Sequence, residues 1–229
     1  MKHRHHMKSN TILKSFIGFS LVYLLILLIG NDEIAWFLKP FLLPFLILAV
    51  YRHEKFGSKN SLLAALTMSW IGDVILLFAD KGELYFIAGL IAFLLSHIFY
   101  IILFSKQLQV FFEKSNYLYW VGITAITLYL IVMMIVLLPS LGELKLPVFV
   151  YALIISIMLL FAFKGFLNWH KPANTYILIG ALVFVASDSI LAFDKFYAPI
   201  QQSSLLIMST YLLAQFLIVI GILELNKKK

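Results

Sequence analysis

Two aspartates lie inside long apolar runs, where an ionisable side chain needs a specific reason. Asp73 stands in a segment that reads Gly-Asp-Val-Ile-Leu-Leu-Phe, and Asp188 stands in one that reads Ser-Asp-Ser-Ile-Leu-Ala-Phe. A charged side chain at the centre of a membrane helix costs roughly 2.5–3.5 kcal/mol on insertion scales. Two close carboxyl groups in a low-dielectric site cannot both ionise easily, so one stays protonated near neutral pH. Such a pair can supply the proton donor and the negative charge of acid–base catalysis.

The two aspartates belong to an internal repeat. The pattern small-Asp-x-Ile-Leu-x-Phe, closely followed by Asp-Lys, recurs at an offset of 115 residues, which is about half the chain. The next runs align as well, because residues 93–97 (Phe-Leu-Leu-Ser-His) match residues 211–215 (Tyr-Leu-Leu-Ala-Gln). We predict one integral membrane domain over residues 1–229, with repeat halves at approximately 12–105 and 117–222. An even number of spans separates the copies, which predicts a parallel 4+4 repeat.

The composition places these acids in a membrane protein. Of the 229 residues, 62% are hydrophobic and 13% are charged, and the mean hydropathy is +0.98. Soluble domains have roughly 45–50% apolar and about 25% charged residues. We predict an all-α polytopic membrane protein with eight transmembrane helices. The predicted spans are 12–29, 36–51, 61–78, 84–105, 117–138, 147–167, 174–194 and 204–222, and Pro44 predicts a kink in the second.

The basic residues indicate the orientation of these spans. On the predicted topology, 14 of the 18 lysines and arginines lie on one side and 4 lie on the other. The larger set is Lys2, Arg4, Lys8, Lys14, Arg52, Lys55, Lys59, Lys106, Lys114, Lys164, Lys171, Lys227, Lys228 and Lys229, and the smaller set is Lys39, Lys81, Lys145 and Lys195. The positive-inside rule then predicts cytoplasmic termini, and a bacterial inner membrane is the expected location. The net charge of +7 follows from this topology, so no nucleic-acid partner is expected.

Depth along the spans favours a shared level for the two acids. Asp73 and Asp188 each lie about five or six residues before the outer end of their spans, which is roughly 8–9 Å of helix. We therefore expect the two carboxyl groups to meet in the outer half of the bundle. In the alternative interpretation, each acid pairs with a tyrosine or a lysine and serves only packing.

Other polar side chains in the apolar runs are candidates for binding a substrate. Lys39 could reach an acid or a lipid phosphate, or could only extend its ammonium group to the interface. Tyr151 could donate a hydrogen bond to a carboxylate, or could serve as an interfacial aromatic residue. The remaining candidates are Ser69, His97, Tyr100, Ser187, Tyr211 and Gln215.

A metal centre is not expected. The chain has no cysteine, which excludes thiolate ligands and cysteine nucleophiles. His97 is the only histidine within a predicted span, and by helix rise it lies roughly 10 Å deeper than the acids. A zinc site needs about three protein ligands at one level. We therefore predict neither a metal nor another cofactor.

The order and spacing of these motifs resemble the YhhN family. Each motif alone is weak, but together they extend from the second predicted span to the last. The matching segments are Lys39-Pro40, Gly72-Asp73 with Leu76, Phe86-x-x-Gly89-x-x-x-Phe93-x-x-x-His97-x-x-Tyr100, Gly180-Ala181-x-x-Phe184-x-x-Ser187-Asp188 and Tyr211-x-x-x-Gln215. Characterised members of the family are lysoplasmalogenases. The resemblance implies an eight-span enzyme that hydrolyses the vinyl ether of a lysoplasmalogen to a fatty aldehyde and a glycerophospho head group.

The candidate residues suit that reaction on chemical grounds. Hydrolysis of a vinyl ether begins with protonation of the β-carbon, which leaves an oxocarbenium ion, and water then adds to give a hemiacetal. One aspartate would donate the proton and the other would stabilise the cation and orient water, as paired acids do in glycosidases. Which aspartate takes which role stays open. Tyr211 and Gln215 could hold a water or the glycerol hydroxyl, and Lys39 could meet the lipid phosphate.

Two other functions remain open from the sequence. A proton-coupled transporter also combines parallel repeats with acids inside the membrane, and 229 residues would make it small. A lipid-binding or scaffold protein would need no acids at all. A homodimer is compatible with each of these functions.

Overall fold

The computed structural model describes the backbone of residues 2–108 and 116–227 and the side chains of residues 10–108 and 117–227. Six of the basic residues that support the predicted orientation lie outside these described side chains, namely Lys2, Arg4, Lys8, Lys114, Lys228 and Lys229. The described parts are α-helices joined by short turns. The helices are α1 (Lys2–Leu28), α2 (Asp32–Leu38), α3 (Leu42–Arg52), α4 (Lys59–Leu76), α5 (Glu83–Leu108), α6 (Asn116–Leu137), α7 (Lys145–Asn168), α8 (Ala173–Phe196) and α9 (Ser203–Leu225).

Seven helical segments of the described chain are long and apolar enough to cross a membrane. They are Asn10–Leu28, Asp32–Arg52, Glu83–Leu108, Tyr117–Ser140, Gly142–Asn168, Ala173–Phe196 and Ser203–Leu225. The predicted third span coincides with α4, which is helical but is not among the seven. This helix begins with Lys59 and Asn60 and carries Asp73, and these polar residues lower its hydropathy. The all-helical membrane architecture is confirmed, whereas the eighth span and the orientation remain predictions.

The second predicted span is interrupted, but not where the sequence analysis placed the kink. A 3-10 turn at Lys39–Phe41 separates α2 from α3, and Pro40 lies at its start. Pro44 lies in the first turn of α3, where a proline costs no intrahelical hydrogen bond. The kink predicted at Pro44 is therefore wrong by about one turn.

The chain divides into two compact units, residues 1–103 and residues 104–229. In the first unit, α3 packs against α1 and α4, around buried leucines of α3 and α4. In the second unit, α8 packs against α7 and α9, around side chains such as Met158, Ile177 and Ile218. Each unit has its own tightly packed interior, which fixes the rotation of the helix that carries its aspartate.

Small residues and serines join α4 to α5 in the first unit. The Ser96 hydroxyl donates to the carbonyl of Ala65 at 2.9 Å and therefore accepts from the Ser69 hydroxyl at 2.7 Å. Further along, the two helices approach at Gly72 and Gly89. A Cβ on Gly89 would lie 3.6 Å from the Gly72 carbonyl oxygen and 2.5 Å from a methyl carbon of the Leu76 side chain.

The pair α8 and α9 in the second unit makes contacts at matching positions. A Cβ on Gly180 would lie 3.1 Å from the Ala214 carbonyl oxygen, and the Ser187 hydroxyl donates to the Ile207 carbonyl at 3.0 Å. On α8 these contacts lie 115 residues after their counterparts on α4. On α9 they lie 118 residues after their counterparts on α5.

The turns before the acid-bearing helices correspond in the same way. Lys59 Nζ donates to the carbonyl of Tyr51 at 2.9 Å, and Asn174 Nδ2 donates to the carbonyl of Phe166 at 2.9 Å. Both the donor and the acceptor are offset by 115 residues. Each bond caps the end of one helix from the start of the next. These matching contacts support the predicted internal repeat.

Candidate active site

The Asp73 carboxylate is buried beside the ammonium group of Lys39. Lys39 Nζ lies 3.9 Å from Asp73 Oδ1, and their side chains are only 17% and 5% exposed. Lys39 reaches this position because the 3-10 turn displaces it from a regular helix between α2 and α3. A buried charge is tolerated when an opposite charge lies close to it. The structure therefore gives Asp73 a cationic partner within its own unit.

Two tryptophans fasten this turn to the helix that carries Asp73. The Trp70 indole N–H donates to the Pro40 carbonyl at 2.8 Å, one helical turn before Asp73. The Trp36 indole N–H donates to the Leu77 carbonyl at 3.1 Å, one turn after it. These bonds satisfy carbonyls that the helix interruption and the helix end leave open. They also hold the Lys39 backbone at a fixed height relative to Asp73.

Tyr23 on α1 also belongs to this neighbourhood. Its side chain is buried, and its hydroxyl lies within electrostatic range of the Asp73 carboxylate. The sequence analysis missed Tyr23, since no motif links it to Asp73. Its position in the first span, towards the same end as Lys39, is the one signal that could have found it.

Asp188 has a different partner. The Tyr151 hydroxyl on α7 donates to Asp188 Oδ2 at 2.5 Å. Tyr151 is buried, whereas Asp188 on α8 is half-buried. A hydrogen bond to a charged acceptor is shorter and stronger than one between neutral groups. Of the two interpretations that the sequence left open for Tyr151, the structure favours the hydrogen-bond donor to a carboxylate.

A second tyrosine lies near Asp188 but makes its hydrogen bond elsewhere. The Tyr129 hydroxyl and Ser189 Oγ are 2.7 Å apart, and the Ser189 hydroxyl donates to the Val185 carbonyl at 2.6 Å. Since a serine hydroxyl has one proton, Tyr129 is the donor to Ser189. The Tyr129 hydroxyl lies within electrostatic range of the Asp188 carboxyl group. The sequence analysis missed this residue, which follows no recognisable spacing.

The other predicted binding residues are buried in the helix pairs. Ser69 and Ser187 use their hydroxyl protons within the protein, in the bonds that join α4 to α5 and α8 to α9. Tyr211 packs edge-on against Phe184, with the ring centroids 5.6 Å apart. The remaining three, which are fully buried, are His97, Tyr100 and Gln215. Their role in binding a substrate remains a prediction.

The structure brings together one acid and one predicted partner in each unit. Lys39 joins Asp73 in the first unit, and Tyr151 joins Asp188 in the second. Because the two acids belong to different units, their action on one substrate remains a prediction. Within the described ranges, no group of three or more histidines and acids could hold a metal ion.

Apolar helices that carry two acids with dedicated partners define a polytopic membrane protein with a polar site in each unit. The model of the YhhN family matches residues 34–222. The chain therefore belongs to the YhhN family, as the sequence motifs predicted, and it is an integral multi-pass membrane protein.

Known relatives agree with this assignment. Lysoplasmalogenase TMEM86B of Homo sapiens is 32% identical over 202 residues, which cover 86% of this chain and 80% of the relative. Lysoplasmalogenase TMEM86A of Bos taurus is 30% identical over 180 residues, which cover 73% of this chain and 67% of the relative. No solved structure matches the chain.

Proposed function

We propose that the protein is a membrane hydrolase that cleaves the vinyl ether bond of a lysoplasmalogen. The relatives reported above are lysoplasmalogenases. The observation that supports the same activity here is that both membrane acids have a dedicated polar partner, Lys39 for Asp73 and Tyr151 for Asp188. Acids that are maintained in an apolar environment at a cost of several kcal/mol are more often functional than structural. The expected products are a fatty aldehyde and a glycerophospho head group.

The chemistry requires a proton donor, a negative charge and a positioned water. A carboxylic acid protonates the β-carbon of the vinyl ether, and the resulting oxocarbenium ion is stabilised by a carboxylate. Water adds to the cation and returns a proton to the protein, and the hemiacetal collapses to aldehyde and alcohol. Asp73 and Asp188 supply the two carboxyl groups in this proposal. General acid–base help of this kind contributes about 10²–10⁴-fold to the rate.

Other residues of the proposed site contact the phosphate, the glycerol hydroxyl and the alkenyl chain of the substrate. The Lys39 side chain is 17% exposed, and in this proposal its ammonium group contacts the lipid phosphate as well as Asp73. Tyr211 and Gln215 on α9 are the proposed contacts for a water or for the glycerol hydroxyl. The apolar helices provide a surface along which the alkenyl chain can enter sideways from the bilayer.

Aldehyde release from lysoplasmalogen by the purified protein in detergent tests this function. We expect activity in the wild type, also in EDTA, and at least a hundredfold loss in Asp73→Asn and in Asp188→Asn. Asp194→Asn is a matched control on the same helix as Asp188. Its Oδ1 accepts from the Ile200 N–H at 2.7 Å, a bond that an asparagine retains. Full activity in Asp73→Asn or in Asp188→Asn would contradict the paired-acid mechanism. An inactive wild type would contradict the proposed substrate.

A further inference from the structure

Three aromatic side chains of the first unit meet at the end of the unit that holds Lys39. The Trp36 ring contacts the Phe78 ring edge-to-face, with the centroids 5.8 Å apart. The Tyr85 ring contacts Phe78 from another direction, with the centroids 5.9 Å apart. Trp36 and Tyr85 are 47% and 45% exposed, so a ligand can reach their rings. This aromatic cluster, formed by Trp36, Phe78 and Tyr85, has no part in the paired-acid chemistry.

The central ring of the aromatic cluster is in contact with a cation of the protein itself. Lys81 Nζ lies over the Phe78 ring, 4.9 Å from its centroid. Aromatic faces attract ammonium groups within about 6 Å of the ring centroid, and quaternary ammonium ligands are bound by groups of such rings. The contact shows that the cluster offers a favourable position to an ammonium group. Because Lys81 is exposed and its side chain is flexible, another cation can replace it there.

The charges at this end of the first unit also favour a cation. The segments 29–40 and 78–85, which the contact between Trp36 and Phe78 brings together, contain two lysines and four acids. All four acids are exposed, and they are Asp32, Glu33, Asp80 and Glu83. Two lysines against four acids give these segments a net negative charge, which attracts a cation to the aromatic cluster.

Lys39 lies one helical turn after Trp36 and has the opposite preference, because its ammonium group attracts anions. The Lys39 N–H donates to the Ala35 carbonyl, so the backbone between the two residues is helical. Residues three apart on a helix are neighbours, with their Cβ atoms roughly 5–6 Å apart. The Trp36 indole N–H donates to the Leu77 carbonyl, which holds the ring beside Phe78. A cation and an aromatic cluster at this spacing suit a ligand whose phosphate and ammonium groups are joined by a two-carbon link.

We propose that the aromatic cluster binds the ammonium group of a zwitterionic lysolipid head group while Lys39 binds its phosphate. This inference rests on the proposed function and adds to it the class of head group that the enzyme selects. The head-group ammonium takes the position over Phe78 that Lys81 Nζ occupies in the structure. The three aromatic residues then determine specificity for the head group and take no part in breaking the vinyl ether bond.

A neutral isostere of choline tests this subsite. Two lysoplasmalogens with the same alkenyl chain are compared, one with a phosphocholine head group and one with a 3,3-dimethylbutyl phosphate head group, in which carbon replaces the nitrogen. The two head groups have the same shape and differ by one positive charge. We expect the wild type to hydrolyse the phosphocholine substrate with a kcat/KM about 10-fold higher, mainly through a lower KM. Equal values of kcat/KM for the two substrates would overturn the proposal.

Substitutions in the aromatic cluster should weaken this preference. We expect Phe78→Leu and Tyr85→Leu each to lower the ratio of the two kcat/KM values about threefold, and Tyr85→Phe, which retains the ring, to leave the ratio unchanged. Phe37→Leu is the matched control, because Phe37 is an exposed ring on α2 that contacts Phe41 rather than Phe78. If Phe78→Leu lowers activity on both substrates by the same factor, the cluster is only an anchor at the membrane interface, and the proposal is overturned.

Lys81→Met tests where the head-group ammonium binds. The variant removes the ammonium group that competes for the Phe78 ring, so we expect KM for the phosphocholine substrate to fall about threefold. KM for the neutral isostere should stay unchanged, since that head group carries no cation to place over the ring. An unchanged or higher KM for the phosphocholine substrate would overturn the assignment of the ammonium group to the Phe78 ring.

Equilibrium binding separates this proposal from the proposed function. Lysolipids with a saturated 1-alkyl chain have no vinyl ether and are not hydrolysed, so their affinity for the purified protein is measured by titration calorimetry in a maltoside detergent. If the wild type releases no aldehyde but binds the phosphocholine lipid about 10-fold more tightly than the neutral isostere, the hydrolase is rejected and the subsite is retained. Equal affinities for the two head groups would reject the subsite, whether or not aldehyde is released.

Discussion

The two acid-bearing units share a scaffold but differ at the residue that faces the acid. In the first unit the helix before Asp73 is interrupted at Lys39–Phe41, and the displaced Lys39 faces the carboxylate. In the second unit the corresponding helix, α7, is continuous, and Tyr151 faces Asp188. Applying the repeat offset of 115 residues, Tyr151 corresponds to Trp36 rather than to Lys39. On the predicted repeat, the acids are retained and their partners differ by one turn of helix.

Backbone geometry determines which side chain faces each acid. A regular helix presents side chains to a neighbour at intervals of three or four residues, so an interruption brings a different residue to the same height. The interruption in the first unit gives a carboxylate with a counter-ion, and the continuous helix in the second unit gives a carboxyl group with a neutral donor. The packing contacts elsewhere in each unit remain matched, which keeps both acids at equivalent positions of their helices.

The largest expected difference between the units is in stability after partner removal. Lys39→Met leaves Asp73 buried without the Lys39 ammonium, and we expect a loss of about 2–4 kcal/mol. Tyr151→Phe removes one hydrogen bond to a half-buried acid, and we expect a loss of about 1–2 kcal/mol. Thermal unfolding of the purified variants in detergent measures both effects.

The double variant Lys39→Met with Asp73→Asn controls for lost packing. If charge burial is the cause, removing the carboxylate charge should restore more than half of the stability lost in Lys39→Met alone. A double variant that is as unstable as the sum of its single variants would show that Lys39 acts through its alkyl chain. That result would reject charge burial as the reason for the loss of stability in Lys39→Met.

The sequence predicted the helices directly, whereas it gave the partners of the acids, Lys39 and Tyr151, only as one of several alternatives. Long apolar runs and recurring motifs depend on local composition, and the structure confirms the helices and the family match confirms the motifs. The side chain that faces Asp73 depends on where the second span breaks. Pro40 and Pro44 lie four residues apart, and the local sequence gives no basis for deciding at which of them the helix is interrupted. The hydrogen bonds of the Trp36 and Trp70 indoles favour an interruption at Pro40.

Contacts between helices that are far apart in the sequence could not be predicted, for a similar reason. Tyr23 and Tyr129 approach the acids only because α1 and α6 are rotated to face them. Rotation about a helix axis is set by complementary packing, and α6 and the part of α1 over residues 16–28 are apolar on most sides, so their sequences mark no single buried face. The number of spans is uncertain at α4 for a different reason. The polar residues that make α4 a candidate site also reduce its hydropathy.

The glycines at the helix contacts should distinguish the packing of the two units. A Cβ on Gly180 would meet the backbone of α9, with the Ile218 nitrogen at 3.0 Å. A Cβ on Gly72 would meet the Phe93 ring at 2.7 Å, and a side chain can turn where a helix cannot. We expect Gly180→Ala to lose about 2–3 kcal/mol and Gly72→Ala about 1–2 kcal/mol. Thermal unfolding in detergent measures the two losses.

Gly18→Ala is the control for these glycine variants. Nothing lies within 4 Å of a Cβ at Gly18, which is within α1, so alanine should leave stability unchanged or raise it by up to about 1 kcal/mol. If Gly180→Ala behaves like Gly18→Ala, the close approach of α8 to α9 is not a source of stability. The contrast with the first unit would then be lost.

The serine hydrogen bonds should have smaller and more equal effects. Ser69→Ala removes the donor to Ser96, and Ser187→Ala removes the donor to the Ile207 carbonyl. We expect each variant to lose about 1 kcal/mol in thermal unfolding, because each removes one hydrogen bond in a packed contact. Ser15→Ala is the control, since its hydroxyl bonds only to the Thr11 carbonyl in the same exposed helix. A much larger loss of activity than of stability in Ser187→Ala alone would place that hydroxyl in the reaction.

The smallest expected effects are at the matched turns that lead into the acid-bearing helices. Lys59→Met removes a charged donor to the Tyr51 carbonyl, and Asn174→Ala removes a neutral donor to the Phe166 carbonyl. Burial, reinforced by Lys55, lowers the pKa of Lys59, so desolvation offsets part of what its charge contributes. We therefore expect similar losses of about 0.5–1 kcal/mol in thermal unfolding, with aldehyde release unchanged. Both bonds cap a helix end at the same position of the predicted repeat. A large loss of stability in only one of the two variants would mean that the two turns are not equivalent. The correspondence between the units would then be limited to their helix pairs.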